Sequence, residues 1–313
     1  MIPIGPDDIA LVALTTRALR SEHRPFTARE AWRVVQVGVL SSLASLDVAT
    51  MEREGVLNGD EALRAVNLLA RMPQVAALAE QWEHEGIWTL TAASENYPEH
   101  LRRRLHDQAP VVLHGVGDKS QLTDDGLGVV GSRNLTADGI AVAQEAGRLA
   151  ARRQITLVSG GARGADREAM GAAVEAGGRS TAVLADSLRR ATQDTLTRRL
   201  VLDGMACLVT PYHPDASFTA GTAMGRNKII YGLSRTVLIV AADSAKGGTW
   251  SGALEAIKAG WTDVRVWRGP GEGAGNAALV EKGGTEVAEI GQLATERKVA
   301  HSHPNNEQLS LEL

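Results

Sequence analysis

The sequence predicts an α/β protein: a doubly wound, Rossmann-like parallel sheet with a small N-terminal helical domain. Three observations carry that expectation. Short apolar runs alternate with helical segments from about residue 105 to 292, the pattern of parallel strands joined by right-handed crossovers. Those runs are apolar throughout rather than at every second residue, as in a sheet covered on both faces. The first ninety residues show helical periodicity only. At roughly 150 residues per domain, a chain of 313 residues holds two. The division expected is 1–90 for a helical, SAM-like domain, 91–292 for the Rossmann-like domain and 293–313 for a flexible tail.

In the helical region Thr27-Ala28-Arg29-Glu30 reads as a capping box, in which the Thr hydroxyl and the Glu carboxylate each take an amide of the first turn. Ala31, Val34, Val35, Val37, Gly38 and the run Leu40 to Leu46 continue at helical spacing. Another helix starts near Asp60, with Ala62, Leu63, Val66, Leu69 and Ala70 on its apolar face. Pro73 suits a first turn and Gly86 a C′ position. In the second region, strands are expected at Leu127–Val130, Ile155–Ser159, Thr181–Leu184, Met205–Thr210, Thr236–Ala241 and Asp263–Trp267. Between them fall helices at Thr136–Arg153, Asp166–Ala176 (with Asp166 as its cap), Leu196–Leu202, Thr222–Leu233 and Ser251–Ala259.

Composition narrows the function. With 44% hydrophobic residues and a net charge of −4, the chain is globular rather than disordered. No apolar run approaches the ~20 residues of a membrane span. The single cysteine, Cys207, makes neither an internal disulfide nor a zinc site by itself. The N-terminus lacks a basic stretch followed by an apolar core, so a cytoplasmic location is expected. There is no Gly-x-x-x-x-Gly-Lys-Ser/Thr, His-x-x-x-His or Cys-x-x-Cys, and neither a metal nor a cofactor is expected.

Chemistry concentrates in three glycine loops. Gly131-Ser132-Arg133 follows the first of these strands. Ser159-Gly160-Gly161-Ala162-Arg163-Gly164-Ala165-Asp166 follows the second. Lys246-Gly247-Gly248-Thr249-Trp250-Ser251-Gly252 follows the Thr236–Ala241 strand. In a doubly wound sheet all three loops reach the carboxyl edge, where ligands bind. Glycines let an anion approach exposed amides and a helix N-terminus. Arg133, Arg163 and Lys246 add full charges. A further basic cluster, Arg226-Asn227-Lys228, is placed at the start of its helix, where cations oppose the macrodipole unless a polyanion accompanies them.

These motifs, in this order and spacing, resemble the DNA-processing protein A family (DprA, also called Smf). The resemblance extends upstream to Tyr97-Pro98-Glu99-His100-Leu101 and Pro110-Val111-Val112-Leu113-His114-Gly115. Downstream it takes in Arg226-Asn227-Lys228-Ile229-Ile230-Tyr231-Gly232-Leu233-Ser234 and Gly275-Asn276, Leu279-Val280 and Gly283. It covers roughly residues 95–287 and implies a protein that binds and protects single-stranded DNA and hands it to the RecA recombinase. Transformation, repair and defence against foreign DNA all remain open as contexts. The resemblance further implies a homodimer formed through the Rossmann-like domain, no catalytic residues, and DNA-binding roles for Arg133 and Lys228. The chain departs from the family at Met170, where a His is usual, and at Met224-Gly225, where an aromatic-proline pair is usual. The sequence after 292 is too short for a winged-helix domain, so a divergent member without one is expected.

Two alternatives stand beside this reading. The loop from Lys246 to Gly252, with Glu255 shortly after, is similar to the signature of nucleotide phosphoribohydrolases of the lonely-guy type. Glu255 would then assist N-glycosidic cleavage and Arg226 would hold the substrate. A nucleotide sensor would use the same pocket without turnover. Finally, Gln308-Leu309-Ser310-Leu311-Glu312-Leu313 matches the Gln-Leu-x-Leu-x-Leu pattern of peptides that dock on the bacterial polymerase sliding clamp. Leu309, Leu311 and Leu313 would be its anchors and Gln308 its polar contact.

Overall fold

The computed structural model of the chain describes residues 4–293 apart from 37 and 39. Five helices open the chain: α1 (Pro6–Thr15), α2 (Ala28–Val35), α3 (Val48–Arg53), α4 (Gly59–Leu69) and α5 (Met72–His84). There follow β1 (Trp88–Thr91), α6 (Glu99–Leu105), β2 (Val112–Val116), β3 (Gly126–Val130), α7 (Ala137–Arg152), β4 (Leu157–Ser159), α8 (Ala165–Glu175) and β5 (Ser180–Val183). Next come α9 (Leu188–Ala191), α10 (Thr195–Leu202), β6 (Ala206–Thr210), α11 (Ala220–Leu233), β7 (Ser234–Ile239), α12 (Gly247–Ala259), β8 (Asp263–Trp267), α13 (Asn276–Glu281) and β9 (Thr285–Val287).

The strands form one sheet in the order β1-β2-β6-β5-β4-β3-β7-β8-β9. Every pairing from β6 to β9 is parallel. From β3 the chain passes through α7 to β4 on one side, whereas α11 brings it back to β7 on the other. The β3/β7 boundary is therefore the topological switch point, and the expected doubly wound sheet is observed. The buried strands are apolar because both faces are covered: β3 and β6 are buried at every residue.

Two antiparallel strands extend the sheet beyond the expected series. β2 pairs with β6, and β1 pairs with β2. β1 spans the residue-90 division, and the core is continuous across it. Trp32 Nε1 donates to the Ala109 carbonyl at 2.7 Å. The Asp8 carboxylate accepts from the Thr91 and Ser94 hydroxyls at 2.5 and 2.8 Å. Trp82 of α5 packs edge-on to the His114 ring of β2, 4.8 Å between centroids. Burial there pushes the His114 pKa down to about 3, so the imidazole is neutral.

The capping box at Thr27 and Glu30 is formed as expected. Other local expectations need correction. The helix after it ends at Val35, and a 3-10 segment at Leu40–Ser45 replaces its continuation. In α4 the buried face is Ala62, Ala65, Leu68 and Leu69, while Leu63 is 46% exposed. The face is turned because Arg64 is drawn inward, to Glu30 at 3.0 Å and over the Phe26 ring at 4.6 Å. Among the described residues no helix is long and apolar enough to cross a membrane, and no His, Cys, Asp or Glu cluster is arranged for a metal. The Gln308–Leu313 motif lies outside the described residues.

Candidate functional site

A polar cavity of about 340 Å³ opens at the switch point, where ligands of this architecture bind. Loops from both sides of the boundary line it: Gly131, Ser132, Arg133 and Asn134 after β3, and Asp243, Lys246, Gly247, Gly248 and Thr249 after β7. Ala223, Arg226, Asn227 and Tyr231 of α11 close its floor. The loops are tied together. The Ser132 amide donates to the Ala241 carbonyl at 2.8 Å, and the Thr249 hydroxyl donates to the Gly131 carbonyl at 3.1 Å. Asn276 fixes the β7 side. Its amide nitrogen donates to the Val240 and Trp267 carbonyls, and its oxygen accepts from the Ala242 amide at 2.9 Å.

Arg226 is the central group. It is only 6% exposed, and its Nε and Nη1 have no hydrogen-bond partner among the described residues. Asp166, itself buried, lies 3.7 Å away, close enough for attraction but beyond hydrogen-bond reach. Burial lowers the Arg226 pKa, and Asp166 opposes that shift. Burial raises the Asp166 pKa, and Arg226 opposes it in turn. A buried guanidinium with unmet donors is costly unless an acceptor arrives. An oxyanion such as phosphate supplies acceptors in the geometry that guanidinium matches.

The three loops play different parts. The loop before α12 is the open one: α12 begins at Gly247 with no side-chain cap, leaving first-turn amides and the positive dipole end for an anion. Gly247 has φ +86° and open space around its Cβ position. Its neighbours Arg133 and Lys246 are exposed and make no ion pair among the described residues. The loop after β4 is closed on itself. Asp166 accepts from the amides of Gly160 and Ala162 at 3.1 and 3.3 Å. It is therefore a loop clamp within the first turn of α8, whose cap position is Gly164 and not the expected Asp166. Ser159 donates to the Val129 carbonyl at 2.6 Å, joining β4 to β3. A Cβ on Gly160 would fall 1.1 Å from Arg226 Nη1, and one on Gly164 would fall 2.3 Å from the Ser132 carbonyl. These glycines make room for the site without lining it. Neither Gly161 nor Arg163 lines it; Arg163 reaches Asn134 Oδ1 at 2.7 Å on the surface.

Two expectations about the basic cluster fail. Arg226 and Lys228 sit in the middle of α11, not at its start, because Thr219 caps the helix with Thr222 as reciprocal partner. Lys228 also faces away from the cavity. Its Nζ donates to Gln108 at 2.8 Å and pairs with Glu255 at 2.7 Å. Glu255, the acid required by the hydrolase reading, is thus bound to Lys228 and is not among the residues lining the switch-point cavity. Sequence reasoning missed Asn134, Tyr231 and Asp243. Tyr231 was detectable, since four residues after Asn227 it falls on the same helical face.

A Rossmann-like sheet with a polar cavity at its switch point places the chain in the class of doubly wound α/β proteins. The profile of the DNA recombination-mediator protein A family matches residues 88–298, and the chain belongs to that family. It is similar to the DNA processing protein DprA of Bacillus subtilis, 26% identical over 310 residues that cover 95% of this chain and 99% of that one. Among solved structures it is similar to DprA from Streptococcus pneumoniae, with TM-score 0.62 and 24% identity over 86% of this chain and 96% of the other. It is also similar to DprA from Helicobacter pylori, whose structure is described in terms of its single-stranded DNA binding mode. There the TM-score is 0.55 with 25% identity over 66% of this chain and 93% of that one.

Proposed function

We propose that this chain binds single-stranded DNA at the switch-point cavity, protecting the strand and assisting its loading onto a recombinase in the cytoplasm. The observation that carries the reading is Arg226, a buried guanidinium with unmet donors beside the uncapped N-terminus of α12. One phosphate fits there, and Arg133 and Lys246 extend the positive rim along a backbone. Family membership and the single-stranded DNA described for the Helicobacter pylori relative support the same ligand. The proposal includes a RecA-type recombinase and a second copy of this chain as partners, and the sliding clamp through Gln308, Leu309, Leu311 and Leu313. A short clamp peptide would bind with micromolar affinity, roughly −8 kcal/mol, measurable by calorimetry of a 300–313 peptide. The central test is an anisotropy titration with single- and double-stranded oligonucleotides, beside a mononucleotide hydrolysis assay. Preference for the single strand, weakened by Arg133→Ala, is the expected result. Equal binding of duplex and single strand, or indifference to that substitution, refutes it.

A further inference from the structure

A second and larger cavity, of about 720 Å³, lies on the other side of α11. Its walls are α1, α2, β2 and the segment joining β6 to α11. The side of α11 it meets carries Gly221, Gly225 and Lys228, whereas Ala223, Arg226 and Asn227 face the switch point. At 3.6 residues per turn these are different faces of one helix. Gly225 is an interior helical glycine, at a cost of about 1 kcal/mol relative to Ala. The structure shows what requires it: a Cβ there would fall 2.5 Å from Tyr212 Oη. The Tyr212 hydroxyl donates to the Thr222 carbonyl at 2.9 Å and so holds its ring along the cavity wall. At Gly221 a Cβ would meet only Thr219 Oγ1, at 3.6 Å.

The lining chemistry is specific. Burial lowers the pKa of both His114 and His213, favouring the neutral rings; His114 Nδ1 is taken up by the Thr89 hydroxyl at 3.0 Å, so His114 offers one ring nitrogen and His213 both. Gln108 and Thr15 add further uncharged groups, with the Tyr212 ring as an aromatic face. Arg17 is exposed and makes no ion pair among the described residues, and Lys228, paired with Glu255, stands at the α11 side. Uncharged donor–acceptor groups with an aromatic wall suit a nucleobase; flanking cations suit its phosphate. The size is within the range of small-molecule sites. Between the two faces of α11 runs an exposed arc on which Met224 stands, 55% exposed, close in sequence to Phe218 at 53%.

We propose that this cavity is a second nucleotide subsite, taking a base of the same single strand whose phosphate is held at Arg226, so that the strand straddles the N-terminal half of α11. The inference rests on the single-strand reading above and extends it to a site that recognises a base.

The test is anisotropy with thymidine oligonucleotides in which one abasic position is walked along the strand. The wild-type chain is expected to lose about tenfold in affinity at a position away from the one held at the phosphate pocket, as for loss of one stacked base. Gly221→Leu, which intrudes on the cavity from α11, and His213→Ala, which leaves it open but less polar, are compared after their circular dichroism is shown to match wild type. Gly221→Leu is expected to bind the unmodified strand about tenfold more weakly and to become insensitive to the abasic position. His213→Ala keeps part of the sensitivity. Wild-type affinity and an unchanged abasic profile in both variants overturn the inference while leaving strand binding intact. Failure of the wild-type chain to bind any single strand overturns the reading beneath it.

Discussion

Replacing Arg226 with Met removes the cation at the switch point while keeping a side chain of similar length. Its partner Asp166 is then left buried without a counter-charge. Breaking a buried ion pair in this way costs about 3–5 kcal/mol. The lower end applies here, because the pair is 3.7 Å apart and Asp166 retains the amides of Gly160 and Ala162. A loss of about 3 kcal/mol in urea unfolding at pH 8 is therefore expected. The sign with pH follows from linkage. Burial already raises the Asp166 pKa and Arg226 opposes that rise, so the variant's carboxyl titrates higher still. The folded state then holds a proton that the unfolded state has released, and stability falls as pH rises through the folded value. The variant's deficit is consequently smaller at pH 5 than at pH 8. The same substitution lowers the salt slope of single-strand binding by roughly 0.7 for the lost phosphate contact. An unchanged slope together with an equal deficit at both pH values refutes this account of the pair.

Gly160→Ala drives the Arg226 guanidinium aside, since the new Cβ would overlap Nη1; anisotropy is expected to show single-strand binding weakened as much as in Arg226→Met, and wild-type binding would show that the guanidinium position is irrelevant. Glu30→Gln removes the carboxylate that caps α2 and bonds Arg24 and Arg64. The hydrogen bond from Arg24 holds that carboxyl well below the usual range, so its contribution is present above the ordinary value of about 4.3 and is lost as pH falls below it. The variant should lose about 2 kcal/mol at pH 7 and show a shallower acid limb in its Tm profile; identical limbs contradict the assignment. Glu255→Gln frees Lys228 from its ion pair and is expected to leave DNA binding within about twofold, since a partly exposed pair contributes little. Release of free base from a nucleoside monophosphate, abolished by that change, would instead establish the hydrolase reading.

The strands that could be read from sequence are those whose burial is written in their own residues. β3, β6 and β7 carry contiguous Val, Leu and Ile because helices cover both faces. β2 is buried just as completely, yet it carries His114 and Gly115. Their tolerance comes from partners distant in sequence. Trp82 packs against the imidazole, and the Trp88 ring lies where a Cβ on Gly115 would be, 2.3 Å away. No local pattern encodes such contacts, so the antiparallel edge stayed hidden while the parallel body did not. β9 was missed for the opposite reason: two of its three residues are exposed, leaving no apolar run to detect.

At the candidate site, the glycine loops were legible because their spacing follows the strand ends. The roles within them were not. Asp166 reads as a cap in sequence, and only the turn of the Gly160–Gly164 loop shows that it takes that loop's amides instead. The basic cluster is more instructive, because its error had a local source. A helix begun at Thr222 puts Arg226 and Lys228 near its first turn, where both would serve one anion. The capping signal lies three residues earlier, in Thr219 with Thr222 replacing the usual Glu or Gln as reciprocal partner. Once the helix starts at Ala220, both residues are interior, and two positions on an α-helix differ by about 200°. Arg226 and Lys228 must then face different surroundings, whatever the rest of the fold. Helical geometry alone thus separates the buried Arg226 from Lys228, which lines another cavity, and it sets the two proposed sites, for a backbone phosphate and for a base, on different faces of a single helix.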